Sequence, residues 1–431
     1  MRLVIINREF RLSDNTALYE CYKVCKNDGQ SFTAIFIFDP NQITPSKNRF
    51  FSERSFELLK KSLLHFRKQC PRLSIFEGEV GKILEEIIPK HKITDIFTTL
   101  DYTPYARKRL GVIEVVAKKY GVTIQSFHDH ILYLPPKPYR KYTPFYNLCV
   151  KNIGKQSGAV LSKAITSIKK TLPDRMRGVI DDIDFSARLT HTKKLQNYSE
   201  VRNIPSIDGT TQLSKYMKYG LISIRQLYAI GDTALRRELV WRTFYYQLNY
   251  YYPDLLEQSK ALQPKFDKIK WISNEQYLSA WCEGKTGYPI VDAGMRQLLT
   301  TGWMHNRLRM ITASFLVKIL HIDWRIGERF FAQRLVDYDP CQNNGGWQWV
   351  AGSGADAQPY YRIFNPELQH RKFDPKSIYI LTWVPELAEL THKEIIKLYE
   401  GDETRPHGYP NRIVDYTIAK KKTIKLYMAI K

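Results

Sequence analysis

What most limits the fold of this chain is a change of pattern along it. Up to about residue 130, short apolar runs recur at 3–7 ("LVIIN"), 32–38 ("FTAIFIF"), 73–76 ("LSIF"), 95–100 ("DIFTTL") and 122–127 ("VTIQSF"). Amphipathic stretches such as "SERSFELLKKSLLHFRK" separate them. That alternation predicts a parallel sheet with helical crossovers. After about residue 205 the strand-like runs stop, and helical patterns such as "ALRRELVWRTFYYQL" and "RLRMITASFLVKIL" take over. All eight tryptophans, at 241, 271, 281, 303, 324, 347, 349 and 383, fall in this second half. Chemistry that needs large π-systems is expected there. The expected organisation is an α/β parallel-sheet (Rossmann-like) domain over 1–130, a connector rich in Pro, Lys, Ser and Thr over 131–204, and an all-α domain over 205–431.

Composition narrows the partners. With 431 residues, 43% hydrophobic and 13% aromatic, the chain can bury substantial cores. It lacks a run of about 18 apolar residues, and the apolar part of "MRLVIINREFRLSDN" is too short for a signal peptide, so a soluble, intracellular protein with no membrane contact is expected. The six cysteines form no CxxC pair, and His128 and His130 have no further ligands in register; neither a disulfide frame nor a metal site is expected. Sixty-six Lys and Arg against 43 Asp and Glu give a net charge of +23. Such an excess favours a polyanion, nucleic acid first, because phosphate contacts release counterions. The plain alternative is a lysine-rich surface.

Several stretches carry candidate chemistry, each with an ordinary structural reading beside it. In "RRELVWRTFYYQ", Glu238 shares a helix face with Trp241 and Arg242, as either a site or a surface ion pair beside a core indole. In "HNRLRMITASFLVK", Asn306, Arg307 and Arg309 open an apolar helix, where buried charge needs partners; Asp337 and Asp339 of "LVDYDP" are candidates. Thr210, Thr211 and Ser214 after Gly209 suit either an anion or a plain helix cap. The densest stretch is "NNGGWQW" (343–349), whose amides, glycines and tryptophans are poor choices for filling a helix or a strand. No GxGxxG follows the first strand, "GSGADA" (352–357) follows no strand at all, and nothing resembles a P-loop or a Ser-His-Asp set.

Over its length, "WCEGKTGYPIVDAGMRQLLTTGWMHNRLRMITASFLVKILHIDWRIGERFFAQRLVDYDPCQNNGGWQWVAGSGADAQPYYRIFNP" closely resembles the flavin-binding domain of the photolyase and cryptochrome family. "REFRLSDNTAL", "LPPKPYRKYTPFYN" and "GTTQLSKYMKYGLIS" follow in the family's order, so the resemblance covers nearly the whole chain. It implies FAD held in a folded form inside the helical domain, below a cavity that takes a flipped-out DNA lesion. Tyr198, Thr210, Thr211, Gln212, Leu213 and Ser214 would line its phosphates and ribityl chain, with Arg242 close by. Asp337, paired with Arg309, would border the ring system with Tyr338 and Asp339, and Asn343 would face flavin N5. Trp347 would start an electron-transfer chain continuing through Trp324 to Trp271. Trp349 and Trp241 would flank the lesion, Glu238, Asn306 and Met310 would contact its bases, and Arg202, Arg307, Arg362 and Gln369 would help hold DNA.

Within the family, (6-4) photolyases carry a histidine pair where this chain has Asn306 and Met310, which points instead to cyclobutane pyrimidine dimers. A cryptochrome-type photoreceptor is the other alternative, and would lose lesion contacts that this chain keeps. The implied activity is that of a carbon–carbon lyase: reduced FAD, excited by blue or near-UV light, lends an electron to the dimer. A monomer acting on damaged DNA in cytoplasm and nucleoid, or in the nucleus of a eukaryotic host, is expected. Departures exist. Gln212 and Lys215 stand where the family commonly has Arg and Pro, and Tyr105 and Ala106 replace the Asn and Glu that hold a folate antenna. A deazaflavin or a second flavin fits the antenna position better, or none at all.

Overall fold

In this computed structural model, which describes residues 1–195, 197–357, 359–401, 406 and 408–430, the chain forms two compact units. The first comprises Met1–Lys194 and Thr211–Glu257, the second Leu195–Thr210 and Gln258–Lys431.

The first unit is built on five parallel strands: β1 (Arg2–Ile5), β2 (Phe32–Phe38), β3 (Ser74–Glu77), β4 (Asp95–Thr99) and β5 (Thr123–Phe127), in the order β3-β2-β1-β4-β5. Each falls within a residue or two of an apolar run in the sequence. β1 sits centrally, with Leu3 opposite Thr33 on one side and Ile96 on the other. β1 and β2 are buried on both faces, as parallel strands under helical crossovers must be. The crossover helices start and stop where capping chemistry dictates. Thr16–Asp28, for example, begins where the Asn15 side chain accepts the Leu18 N–H and ends at Gly29 in the left-handed region. Ile35, Ile37, Leu84, Ile87 and Val116 fill one face of the sheet.

Packing divides the chain differently from pattern. Residues of the expected connector and the helix Thr233–Tyr251 both belong to the sheet unit. Arg8 donates to the Tyr246 phenol (2.9 Å), and Arg107 donates to the carbonyls of Asn249 and Tyr250 (3.0 and 3.1 Å). The last strand ends at Phe127, well before the change of pattern near residue 205, and these side-chain bonds tie the helix Thr233–Tyr251 to the sheet unit.

The second unit is helical. Pro289–Thr301, Asn306–Lys318, Trp324–Arg334, Pro340–Ala351 and Tyr416–Met428 surround a core that includes Trp281, Tyr288, Phe315, Trp324, Trp347 and Tyr379. Seven of the eight tryptophans belong here, and Trp241 belongs to the sheet unit. Among the described residues, no helix is long and apolar enough to cross a membrane.

Candidate functional site

The stretch "NNGGWQW" is helical, within Pro340–Ala351, against the expectation from its composition. The ends supply what the residues lack. Asp339 caps the first turn by accepting the Gln342 N–H, Pro340 takes the first helical position, and Gly352 ends the helix with φ +83°. The amides then divide between two faces. On the buried face, Asn344 donates to Glu328 Oε1 (3.2 Å) and Gln348 donates to Asn344 Oδ1 (2.9 Å). Gln348 also donates to the Lys260 carbonyl (3.1 Å) and accepts from Leu262 N–H (2.9 Å). Buried polar groups in hydrocarbon demand such saturation, and the four-residue spacing of Asn344 and Gln348 provides it. The other face carries Asp339, Asn343 and Gly346 at helical spacing, and both Asn343 and Gly346 are half-buried. A Cβ on Gly346 would meet no atom within 4 Å, so this face has room for a flat group to lie against the backbone. Asn343 commits its amide nitrogen to the Glu328 carbonyl (3.0 Å), which leaves Oδ1 to accept a bond.

Asp337, just before this helix, is 7% exposed and accepts from the Arg309 guanidinium at 2.8 and 3.1 Å; Arg309 also donates to the Met304 carbonyl (2.8 Å). Tyr338 packs on the edge of the core. The helix Asn306–Lys318 begins at His305, whose Nδ1 accepts the Arg307 N–H (3.1 Å). Burial, reinforced by Arg307 and Arg309, lowers the His305 pKa to about 4, so the cap stays neutral and can accept. Sequence reading passed over this histidine, although its place immediately before a helical pattern was a usable signal. The first turn gathers Asn306, Arg307 and Met310: the Asn306 amide and the Arg307 guanidinium each approach the Met310 sulfur at 3.9 Å. Arg307 also donates to Asn203 Oδ1 (2.6 Å) and lies 4.2 Å from the Phe373 ring centre, so it is held in place by the protein itself.

The three tryptophans expected to form a chain are not in direct ring contact with one another among the described residues. Trp347 (3% exposed) meets Phe331 edge-on at 5.0 Å and Trp281 at 6.2 Å. It rests on Gly327, where a Cβ would run into its ring, and Gly327 lies one helical turn beyond Trp324. Trp324 is buried under the Arg325 guanidinium, 4.7 Å from its ring centre. Half-buried Trp271 meets Tyr427 edge-on at 6.4 Å, and the next residue, Ile272, donates its N–H to the His321 carbonyl three residues before Trp324. Trp281 and Tyr427 are neighbours that sequence reading did not single out.

Elsewhere in the helical unit, Tyr198 opens the short helix Tyr198–Val201, and Gly209 passes so close to Val201 that a Cβ would sit 2.8 Å from its carbonyl. Arg202, Thr210, Trp349 and Gln369 are half-buried, and Arg362 is exposed with its carbonyl accepting from Lys318 (3.0 Å).

In the sheet unit, Thr211 Oγ1 accepts the Leu213 N–H (3.2 Å), Gln212 has φ +49°, and Ser214 begins the helix Ser214–Lys218. Glu238, Trp241 and Arg242 share the helix Thr233–Tyr251 and are each half-buried. Arg242 donates to the Tyr246 phenol (2.8 Å) and lies over its ring. Trp241 is stacked flat against Tyr142, with ring centres 3.7 Å apart and planes within 1°.

Two family models match the chain: that of DNA photolyase over residues 2–160, and that of the FAD binding domain of DNA photolyase over 235–429. A protein of Escherichia coli K12 named deoxyribodipyrimidine photo-lyase is 35% identical, with 99% of this chain and 98% of that protein covered. Among solved structures, the archaeal photolyase from Sulfolobus tokodaii with two FAD molecules superposes with a TM-score of 0.85 at 33% identity, covering 99% of each chain. A class III photolyase from Agrobacterium tumefaciens gives 0.85 at 31%, covering 99% of this chain and 97% of that one. Matched along essentially its whole length at about a third identity, this chain belongs to the DNA photolyase family.

Proposed function

We propose that the chain repairs cyclobutane pyrimidine dimers in DNA, using FAD and blue or near-UV light. The observation that carries this reading beyond family membership is the first turn of Asn306–Lys318. There Asn306 and Met310 stand side by side, an amide and a thioether, neither able to supply or take the proton that a histidine pair would. A dimer whose repair needs only an electron fits such a turn. When bound, reduced and light-excited FAD supplies that electron and takes it back after the cyclobutane ring has opened.

The residues of each unit fit the tasks this assigns. In the helical unit, Asn343 with its free-facing Oδ1 would accept from a ring N–H of the flavin, beside the open Gly346 face. Asp337, its carboxylate already occupied by Arg309, would border the ring with Tyr338 and Asp339 without adding an uncompensated charge. Tyr198 and Thr210 of that unit, and Thr211, Gln212, Leu213, Ser214 and Arg242 of the sheet unit, would hold the phosphates and ribityl chain. Trp347, Trp324 and Trp271 would carry electrons from the surface inward to restore the reduced cofactor. Trp241 and Trp349 would wall the lesion, with Glu238, Asn306 and Met310 on its base edges. A stacked dimer cannot reach these groups, so it must leave the duplex; photolyases are a named example of such base flipping. Arg202, Arg307, Arg362 and Gln369 would hold the backbone, and the +23 charge makes affinity fall steeply with salt.

For the antenna, Tyr105 is half-buried with its hydroxyl inside, burial pushes its phenol up to about 12, and with Ala106 it offers no carboxylate or amide to a folate. A deazaflavin or a second flavin is the better occupant. Chromophores released from the purified protein identify it.

The deciding experiment mixes the reduced holoprotein with an oligonucleotide containing a thymine cyclobutane dimer, lit and dark. Intact thymines should return only in light, and much more slowly after Glu238→Ala or Asn306→Ala. A yellow protein that leaves the dimer intact under light would sink the reading and favour a photoreceptor; repair of the (6-4) photoproduct alone would overturn the choice of lesion.

A further inference from the structure

The stretch that sequence pattern marks as a connector is bonded along the helix Thr233–Tyr251. Leu132 N–H donates to Thr243 Oγ1 (3.2 Å), Tyr139 N–H donates to Gln247 Oε1 (3.1 Å), and the Gln247 amide donates back to the Tyr139 carbonyl (2.7 Å). The Tyr251 phenol donates to the Pro135 carbonyl, and Arg140 donates to the Tyr252 phenol (3.1 Å). Thr243, Gln247 and Tyr251 follow at four-residue spacing, so they form one stripe of the helix. Thr243 and Gln247 are completely buried, and water cannot replace the bonds they make. Residues 132–142 therefore act as a splint along this helix.

The splint ends on Tyr142. Its phenol donates to the Arg237 carbonyl (2.9 Å), one turn before Trp241, and its ring lies parallel to the indole at 3.7 Å. Phe244 meets both rings edge-on, at 5.8 Å from Tyr142 and 5.4 Å from Trp241. Tyr142 is only 4% exposed, so the packing around it restricts its movement. Burial raises its pKa well above that of an ordinary phenol, which keeps the donor in place.

We infer that Tyr142 is a positioning residue for lesion recognition: it covers one face of Trp241 and fixes its tilt, so that the indole offers a single face to one base of the flipped-out pyrimidine dimer. The inference rests on the reading of Trp241 as a wall of the lesion site. A half-buried tryptophan without such backing would sample other rotamers, and each binding event would then carry the cost of ordering it. Stacking of a base on an aromatic is worth roughly 5- to 150-fold in affinity, and the unbacked indole should forfeit part of that.

The test measures affinity for dimer-containing and undamaged oligonucleotides, together with repair yield per bound dimer, in Tyr142→Phe, Tyr142→Leu and Tyr142→Ala. Tyr142→Phe keeps the stack and should stay within about twofold of the unmodified protein on every measure. Tyr142→Leu and Tyr142→Ala should lose roughly 3- to 20-fold in affinity for the dimer, with affinity for undamaged DNA and light-driven flavin reduction unchanged. If the alanine variant is recovered without flavin, the leucine variant, which keeps more of the buried volume, decides. Leucine binding the dimer as well as phenylalanine does would overturn the inference, as would an equal loss toward undamaged DNA. An unmodified protein that does not distinguish the dimer at all would instead refute the proposed function.

Discussion

The sheet unit buries Arg11, Asp14, Asp129 and Arg225 together, none more than 6% exposed, with Arg225 bridging Asp14 (3.0 Å) and Asp129 (2.9 Å), and Arg11 also on Asp129. Beside them, Glu9 pairs with His130 at 2.8 Å. The helical unit buries Lys318, His305, His321, His370 and Asp292 against largely neutral partners. Lys318 has the Arg362 carbonyl, His321 has Thr423 and the Ala419 carbonyl, His370 has Ser377, and Asp292 has Thr286, the Gly287 N–H and Tyr409. The consequences are opposite. In the sheet unit, burial would raise the carboxyl of Asp129, but Arg11 and Arg225 hold it well below the usual range; Glu9 is likewise held at about 2, His130 outweighing burial. In the helical unit burial prevails: Lys318 falls to about 8, His305 and His321 to about 4 and His370 to about 3, while Asp292 rises to about 6. The sheet unit keeps Arg11, Asp14, Asp129 and Arg225 charged by pairing them; in the helical unit, beside the paired Arg309 and Asp337, burial disfavours the charged forms of Lys318, the three histidines and Asp292.

Acid should separate the two units most. His305, His321 and His370 have pKa values below that of an unfolded histidine, so their contribution is complete above about pH 6.5 and declines as pH falls toward 4. At pH 5 each should cost about 2 kcal/mol. The sheet unit has His128 shifted downward by burial, but its low-pKa Glu9 and Asp129 lose their contribution only below about pH 4.5. Hydrogen exchange at pH 5, corrected for intrinsic rates, should therefore show the helical unit opening first; the reverse order would break the contrast. Next in size, Asp129→Asn leaves two buried guanidiniums short of a counter-charge and should cost about 3–5 kcal/mol in urea unfolding. Lys318→Met should do the opposite, adding about 3 kcal/mol at pH 7, because the folded state holds that proton less well than the unfolded chain. It should also abolish the gain in stability expected as pH rises from about 8 to 10. Smallest is Lys61→Met, which breaks an exposed pair with Asp182 and should change stability by less than about 0.5 kcal/mol. A larger loss there would mean that pairing in the sheet unit extends to its surface.

What sequence reading could reach follows from the physics of each signal. β1 and β2, buried on both faces, write themselves as apolar runs; β5 is largely exposed, yet its alternation with helical segments still made all five strands legible to within a residue or two. The helices around Trp241 and Met310 were legible from periodicity. "NNGGWQW" misled because its helical state depends on Asp339, Pro340 and Gly352 at its ends, and on Glu328 and Lys260 from elsewhere in the chain. The role of 132–142 was hidden because backbone carbonyls and N–H groups make many of its bonds, and these leave no mark on residue type. For Arg307 the sequence called for a partner and offered Asp337 or Asp339, whereas Asn203 and Phe373, distant in sequence, hold it.

The two faces of Pro340–Ala351 bear on how this region tolerates change. Asn343 and Asn344 are neighbours in sequence but about 100° apart around the helix. The bonds from Glu328 through Asn344 and Gln348 to Lys260 fix the rotation of the helix about its axis, and so set the direction of Asn343 without touching its carbonyl oxygen. Inserting or deleting one residue here would exchange the roles of the two asparagines, whereas a substitution at Gln348 would let the helix roll. A catalogue of tolerated mutations should therefore show Glu328 and Gln348 as strictly maintained as Asn343.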